Sequence, residues 1–92
     1  MKKLLLLFVV LLSVLQINAQ SMISGKVVDD TDTPLPGVSV QVQNTLRGTF
    51  SGIDGSYTIM AQPSDSLIFR MLGMIPKKEF VGNRTIINVT MI

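Results

Sequence analysis

The sequence predicts an all-β sandwich of seven short antiparallel strands, because strand patterns and turn residues alternate along almost the whole chain. The clearest pattern is that of Val38, Val40 and Val42, which alternate with polar residues at the period of a strand with one buried face. Turn-forming residues recur about every 8 to 12 positions, which is the spacing typical of a small sandwich. Beyond the N-terminal segment, no stretch has the period of a helix.

The first three predicted strands precede an Asp54-Gly55 pair. They span residues 22–29, 38–43 and 49–53. In the first of them, Ile23 and Val27 share one face. Residues 30–36 form a loop, because prolines cannot donate to a sheet ladder and because Asp and Thr favour turns.

Asp54-Gly55 is the strongest hairpin signal in the chain, since this dipeptide favours the two-residue turn that joins paired antiparallel strands. We therefore expect the strand 49–53 to pair, through this turn, with a fourth strand at residues 56–61. The inward-facing residues of the fourth strand are Tyr57, Ile59 and Ala61.

Three further strands complete the predicted set. Residues 67–72 are largely apolar, which indicates a central position in a sheet. Gly73 and Pro76 end that strand, and residues 77–81 then form a short, exposed one. Residues 85–92 form the last strand, and its inward-facing residues are Ile87, Val89 and Met91.

Residues 1–19 have the layout of a helical secretory signal peptide. Two lysines supply a positive start, the apolar run of residues 4–15 follows, and cleavage is expected after Ala19. The run is shorter than the roughly 20 apolar residues that a membrane span needs, although an uncleaved anchor is the alternative. Residues 20–92 are therefore the expected mature domain, with no membrane span after cleavage.

The charge of the expected mature domain is balanced. The formal net charge of +2 and the pI of 9.3 depend on the two lysines of the signal peptide. From residue 20 onward, the ionisable side chains are six basic and six acidic ones: Lys26, Arg47, Arg70, Lys77, Lys78 and Arg84, against Asp29, Asp30, Asp32, Asp54, Asp65 and Glu79. No basic patch is interleaved with aromatic residues, so we expect no nucleic-acid partner.

The composition argues against most catalytic and metal-binding chemistry. The chain has no histidine and no cysteine, so it lacks the bases of nucleophilic triads and the usual ligands of zinc. Asp29, Asp30 and Asp32 could offer oxygens to calcium, but the loop spacing and the terminal glutamate of calcium loops are missing. We expect a solvated turn there, and we predict no catalytic, cofactor-binding or metal-binding residues.

Two other groups of residues are candidate sites by their composition. Gly48, Gly52 and Gly55 have no helix after them, so they are expected in turns and bulges and not in a phosphate-binding loop. Met74 and Ile75 lie beside the strand-breaking residues Gly73 and Pro76, where they could be exposed and form part of a docking surface.

Several motifs, in order along the chain, resemble the carboxypeptidase-regulatory-like domain. They are Gly25-Lys26-Val27-Val28-Asp29, Pro34-Leu35-Pro36-Gly37-Val38-Ser39-Val40, Gly48-Thr49, Asp54-Gly55-Ser56-Tyr57, Leu67-Ile68-Phe69, Leu72-Gly73 and Ile87-Asn88-Val89-Thr90. The resemblance covers Ile23 to Met91. It implies a seven-stranded antiparallel Greek-key sandwich of the prealbumin-like (transthyretin-like) type.

The resemblance also implies a function. In one large subgroup, this domain follows a signal peptide that ends in Ala-Gln, as Ala19-Gln20 does here. There it forms the periplasmic N-terminal extension of SusC-like, TonB-dependent outer-membrane receptors, which import glycans and other nutrients. The implied role is a non-catalytic accessory or interaction domain without a cofactor. Its protein partner would be the parent receptor or an outer-membrane transport assembly.

The length of the chain also bears on whether it could be a complete receptor. The receptor pattern continues with a plug and a membrane barrel, and 92 residues cannot hold them, so we expect a fragment or a truncated reading frame and not a transporter. A stand-alone secreted binding or surface module is the alternative. An enzyme is the third possibility, but the transthyretin-like hydrolases depend on histidines, which this chain lacks.

Overall fold

The computed structural model describes residues 20–92, which form seven strands and no helix. The strands are β1 (Ser21–Val28), β2 (Ser39–Val42), β3 (Gly48–Phe50), β4 (Ser56–Ala61), β5 (Ser66–Arg70), β6 (Lys77–Phe80) and β7 (Val89–Thr90). The predicted signal peptide, residues 1–19, lies outside the described residues. Within residues 20–92, nothing in the structure offers a helix that could cross a membrane.

Two sheets enclose one hydrophobic core. The three-stranded sheet has the order β4-β1-β7, and the four-stranded sheet has the order β3-β2-β5-β6. Buried apolar side chains from both sheets and their loops form the core: Ile23, Val27, Leu35, Val38, Val40, Val42, Tyr57, Ile59, Ala61, Leu67, Phe69, Val81, Ile87, Val89 and Met91. The predicted all-β sandwich of seven strands is confirmed.

The predicted inner faces are confirmed as well. Along β4, buried and exposed residues alternate without exception, and the buried ones are Tyr57, Ile59 and Ala61. The two predicted inward residues of β1, Ile23 and Val27, are fully buried. β5 lies between β2 and β6, which is the central position that its apolar sequence indicates. In β1 and β4 the period of two in the sequence decided which residues enter the core.

The Asp54-Gly55 hairpin prediction is wrong. β3 pairs with β2 and β4 pairs with β1, so the two strands that flank this turn belong to different sheets. The turn is closed locally, since the Gly52 amide donates to the Ser56 carbonyl at 2.8 Å and the Gly55 amide donates to the Gly52 carbonyl at 2.9 Å. It therefore carries the chain from one sheet across to the other.

The prediction of a wholly antiparallel sandwich also needs correction, because β1 and β7 are parallel. Val27 lies beside Val89 in this register, and Ser24 forms a single parallel bridge with Ile86. After β6 the chain enters the three-stranded sheet from the end at which β1 begins. The last segment therefore runs in the same direction as β1.

The closing segment, residues 85–91, approaches β1 unusually closely. A Cβ atom on Gly25 would lie 1.9 Å from the Ile87 carbonyl oxygen, so only glycine fits there. That same oxygen accepts a hydrogen bond from the buried Tyr57 hydroxyl at 2.6 Å. One residue further along, the Asn88 side-chain oxygen accepts from the Lys26 amide at 2.9 Å, in place of a main-chain carbonyl. These contacts fix the closing segment on β1.

Some predicted strands are longer than the observed ones. Within the predicted strand 85–92, only Val89–Thr90 forms a strand, although Ile87, Val89 and Met91 do face inward as expected. At the ends of two other predicted strands, Ile53 and Leu72 are almost fully exposed outside β3 and β5. Both lie in turns, where no neighbouring strand can cover them.

Candidate interaction surfaces

Asp29, the first residue of the candidate calcium loop, is engaged by its own turn. Its Oδ1 accepts hydrogen bonds from the Thr31 amide at 2.8 Å, the Thr31 hydroxyl at 2.7 Å and the Thr33 amide at 3.0 Å. The hydrogen bond from the Thr31 hydroxyl is the main reason why the pKa of Asp29 is lowered from its ordinary value of 3.8. This is the geometry of a solvated turn that Asp and Thr stabilise.

Asp54 has the same kind of environment in the turn between the sheets. Its Oδ1 accepts from the Ser56 hydroxyl at 2.5 Å and from the Ser56 amide at 3.1 Å, and the first of these bonds is the main cause of its lowered pKa. Among residues 20–92, no three acidic side chains come close enough to hold a metal ion together. Asp29 and Asp54 therefore each stabilise the turn in which they lie.

Gly55 shows why the glycines of this region are structural. Its φ of 79° lies in the left-handed region, and a Cβ atom there would stand 2.5 Å from the Val27 carbonyl oxygen. The Gly55 carbonyl also accepts a hydrogen bond from the Val27 amide at 2.8 Å. The glycine lets the turn contact β1 directly, as expected for a turn residue.

Two buried polar side chains belong to the frame of the sandwich. The Tyr57 ring packs edge-on against Phe69, with ring centroids 5.3 Å apart, and burial raises the pKa of its hydroxyl to about 12. The Ser51 hydroxyl donates to the Leu35 carbonyl at 2.6 Å and accepts from the Val38 amide at 2.8 Å. Sequence reasoning predicted Tyr57 as inward but missed Ser51, whose loop partners are 13 and 16 residues away.

A cleft of about 170 Å³ opens near the start of β1, between Ser21, Ala61 and Arg84. Arg84 is the charged group of this cleft, and its guanidinium is already paired. It forms a salt bridge with Glu79 at 3.2 Å and donates to the Phe80 carbonyl. The cleft therefore offers a ligand little unpaired charge.

The outer face of the four-stranded sheet combines aromatic and basic side chains. Phe50 and Phe80 stand at its two edge strands with 70% and 59% of their surfaces exposed. Arg70 and Lys78 lie on the same face, since they align with Ser39 and Ile68 of the neighbouring strands. The outer face of the other sheet carries different exposed apolar residues, including the cross-strand pair Met22 and Met60.

The predicted exposure of Met74 and Ile75 is confirmed for one of the two residues, and the docking surface stays a prediction. Ile75 is 70% exposed, and its amide donates to the Ile92 carbonyl at 2.8 Å. Met74 instead packs, partly buried, against the core. The turn between Gly73 and Pro76 therefore exposes the Ile75 side chain and directs the Met74 side chain toward the core.

The chain is similar to known proteins over the whole sandwich. A family model described as the CarboxypepD_reg-like domain matches residues 23–91. TonB-dependent receptor P26 of Formosa agariphila is 42% identical over 57 residues, which cover 62% of this chain and 6% of that protein. TonB-dependent receptor P39 of the same organism is 29% identical over 76 residues, which cover 82% of this chain and 7% of that protein. The chain thus spans only 6% to 7% of the length of these curated relatives.

Proposed function

The chain belongs to the family of CarboxypepD_reg-like domains, and from this membership we propose that residues 20–92 are a non-catalytic interaction domain. Its place would be the periplasmic N-terminal extension of a TonB-dependent nutrient receptor, one that imports glycans or similar nutrients. The observation that carries the proposal is that both relatives described above are TonB-dependent receptors. The matched region is a small part of those receptors, which supports an accessory role.

The non-catalytic role is supported by the chemistry of the described residues. The sequence has no histidine or cysteine to act as a base or nucleophile near neutral pH. Asp29 and Asp54, the carboxylates with lowered pKa values, are held by hydrogen bonds within their own turns. A lowered pKa also makes each of them a weaker base.

Export, location and connectivity belong to the same proposal. Residues 1–19 would be a signal peptide that is removed after Ala19, and the mature domain would reside on the periplasmic side of the outer membrane. Its partner would be the parent receptor or its transport assembly. We also infer Greek-key connectivity of the prealbumin-like type, which is supported by the excursion of β4 into the other sheet between β3 and β5.

The coding sequence that follows Ile92 in the genome tests the receptor assignment. A plug and a membrane barrel encoded downstream, in frame or after a frameshift, would support the proposal. A stop codon followed by an unrelated gene would contradict it and would favour a stand-alone secreted binding module of the same family.

Export can be tested separately, with the full chain expressed in a Gram-negative host. We expect the purified protein to come from the periplasmic fraction with the mass of residues 20–92. Introducing Leu7→Arg and Leu11→Arg into the apolar run should leave an unprocessed product in the cytoplasm. Leu46→Arg and Leu72→Arg are the matched control, because both leucines are fully exposed in the sandwich. An unprocessed, cytoplasmic wild-type product would contradict the signal peptide.

A further inference from the structure

β4 is the least protected edge strand of the sandwich. Of the four strands at the sheet edges, β4 is the longest with six residues, whereas β3 has three and β7 has two. β6 carries two consecutive lysines, and short length and lysines are common protections against pairing with another chain. β4 has the sequence SYTIMA, with no charge and no proline, and pairs regularly with β1 along its whole length.

The hydrogen bonds of β1 show which way the main chain of β4 points. The Ser24 amide donates to the Thr85 carbonyl at 3.0 Å, and the Ser24 carbonyl accepts from the Ile87 amide at 2.9 Å. Both main-chain groups of Ser24 are therefore used on the side of the closing segment. Thr58 lies opposite Ser24 on β4, so this is a non-hydrogen-bonded pair of the antiparallel ladder. The amide and carbonyl of Thr58 consequently point away from β1, into the open edge.

The open part of the edge runs from Thr58 to Met60. At the start of the strand, the Ser56 carbonyl accepts from the Gly52 amide and the Ser56 amide donates to Asp54 Oδ1, so that end is closed. The Met60 amide has the same orientation as that of Thr58, because main-chain directions repeat every two residues. An added strand would find the amide and carbonyl of Thr58 and the amide of Met60.

This pattern favours a foreign strand over a second copy of the chain. Two β4 strands that pair antiparallel about Thr58 would place each Met60 opposite a Ser56 of the other copy. The main-chain groups of Ser56 are already engaged, so this register would gain only the two hydrogen bonds between the Thr58 residues. Pairing about Ile59 would use the free groups of both copies, but β4 carries no carboxylate, and each copy would bring a further Arg47 guanidinium to the shared edge. A separate extended segment has no such restriction.

The surroundings of the open edge indicate the chemistry of that segment. A cleft of about 420 Å³ lies between β3 and β4, lined in part by Leu46, Thr49 and Met60. Leu46 is fully exposed and Met60 is 41% exposed. The Arg47 guanidinium stands beside the edge, 3.4 Å from the Met60 carbonyl. Within residues 20–92, the salt bridge between Arg84 and Glu79 is the only one. No described carboxylate therefore pairs with Arg47.

We propose that the edge of β4 from Thr58 to Met60 is a strand-addition site for an extended segment of a partner protein. That segment would carry apolar side chains over Leu46 and Met60 and a carboxylate beside Arg47. Main-chain hydrogen bonds would supply most of the affinity, and the cleft and the arginine would supply the specificity. This edge would be the surface through which the interaction domain contacts its partner, and in that sense the inference rests on the proposed function.

The test uses the purified chain, labelled with ¹⁵N, and a short peptide that alternates Val and Thr and begins with Glu. We expect the peptide to shift the amide signals of Thr58 and Met60 and to slow hydrogen exchange at Thr58. A peptide that begins with Lys should bind about threefold more weakly. Arg47→Gln should remove that difference. Signal changes confined to β6 or to the outer sheet faces would overturn the proposal.

Thr58→Pro removes the free amide without breaking a bond to β1, and proline is tolerated at an edge whose amide faces solvent. We expect it to weaken peptide binding about tenfold, whereas the matched variant Thr58→Val keeps the amide and should bind normally. Equal binding by Thr58→Pro would overturn the site. If this variant does not fold, a peptide methylated on its edge-facing amides serves instead, and its undiminished binding by the wild-type chain would have the same meaning.

Two other outcomes separate the inference from the proposed function. Dimerisation that Thr58→Pro abolishes, without any peptide binding, would overturn the assignment to a foreign strand. Failure of the peptide experiments would leave the receptor assignment standing, because that assignment is tested by the gene context and by export. A genome that encodes no receptor downstream would in turn leave the measured peptide binding intact.

Discussion

Phe69 and Phe80 lie on neighbouring strands of the same sheet, yet their environments are opposite. Phe69 is fully buried between the sheets, where its ring meets Tyr57, whereas Phe80 is 59% exposed on the outer face. Side chains alternate between the two faces along both strands, so the position of each phenylalanine in this alternation decides whether its ring faces the core or the solvent. The interior of this small sandwich should therefore carry its stability, while the outer faces and edges are available for contacts.

Truncating each of the two phenylalanines tests this difference directly. Phe69→Ala should lower the free energy of unfolding by about 3–5 kcal/mol, because it leaves a cavity in the single core. Phe80→Ala should change it by less than about 0.5 kcal/mol, as is usual for exposed positions. Urea unfolding followed by circular dichroism measures both. A comparable loss from Phe80→Ala would show that the outer face is covered in solution.

The second prediction concerns the main chain of the interior. Gly25→Ala should cost about 2–3 kcal/mol, because the new methyl group would stand 1.9 Å from the Ile87 carbonyl oxygen and push the closing segment off β1. Gly52→Ala is the matched control, since its methyl group would meet Asp54 at an ordinary distance of 3.6 Å. Unfolding in urea gives both values, and an unaffected Gly25→Ala protein would contradict the close approach of the closing segment.

The parts of the fold that the sequence predicted are those that depend on local pattern. Val38, Val40 and Val42 identify a strand with one buried face, and the same argument gave the inner face of β4. Turn residues located the strands to within a few positions. The expectation of no catalytic, cofactor or metal site stays a prediction.

The pairing of strands could not be predicted in the same way, because it depends on distant residues. Asp54-Gly55 favours a hairpin locally, but β3 is satisfied by β2 and β4 by β1, so the turn joins two sheets instead. A β3–β4 hairpin would have covered the free edge of β4. The candidate strand-addition site at Thr58 therefore could not be predicted from the sequence, since this edge is free only because the hairpin does not form.

The Tyr57 hydroxyl is a polar group of the interior whose removal should also be felt. Tyr57→Phe should lower the free energy of unfolding by about 1–2 kcal/mol, because the buried Ile87 carbonyl loses its hydrogen bond from the Tyr57 hydroxyl. Thr58→Val, at the neighbouring exposed position, is the control for a lost hydroxyl and should be nearly neutral. A neutral Tyr57→Phe would mean that another donor reaches the Ile87 carbonyl.

The pKa of Tyr57 adds a pH dependence to that prediction. Burial raises this pKa to about 12 in the folded chain from an ordinary value of 10.0, so folding favours the protonated hydroxyl. Its contribution to stability is complete below about pH 10 and is lost as the pH rises toward 12. The difference in unfolding free energy between wild type and Tyr57→Phe should therefore shrink over this interval, and a constant difference would contradict the raised pKa.

A small effect is expected at Asp29, where a partly exposed side chain contributes through hydrogen bonds and not through burial in the core. Asp29→Ala should lower the melting temperature slightly, because the turn loses the acceptor of three hydrogen bonds, whereas Asp29→Asn keeps an acceptor and should lose less. The lowered pKa of Asp29 means that its contribution is present above its ordinary value of 3.8 and fades as the pH falls below it. Asp30→Ala, next to it in the same exposed turn, is the control. If Asp29→Ala and Asp30→Ala behave alike at pH 7 and at pH 3, the turn contributes nothing, and the stability of the sandwich resides in its interior alone.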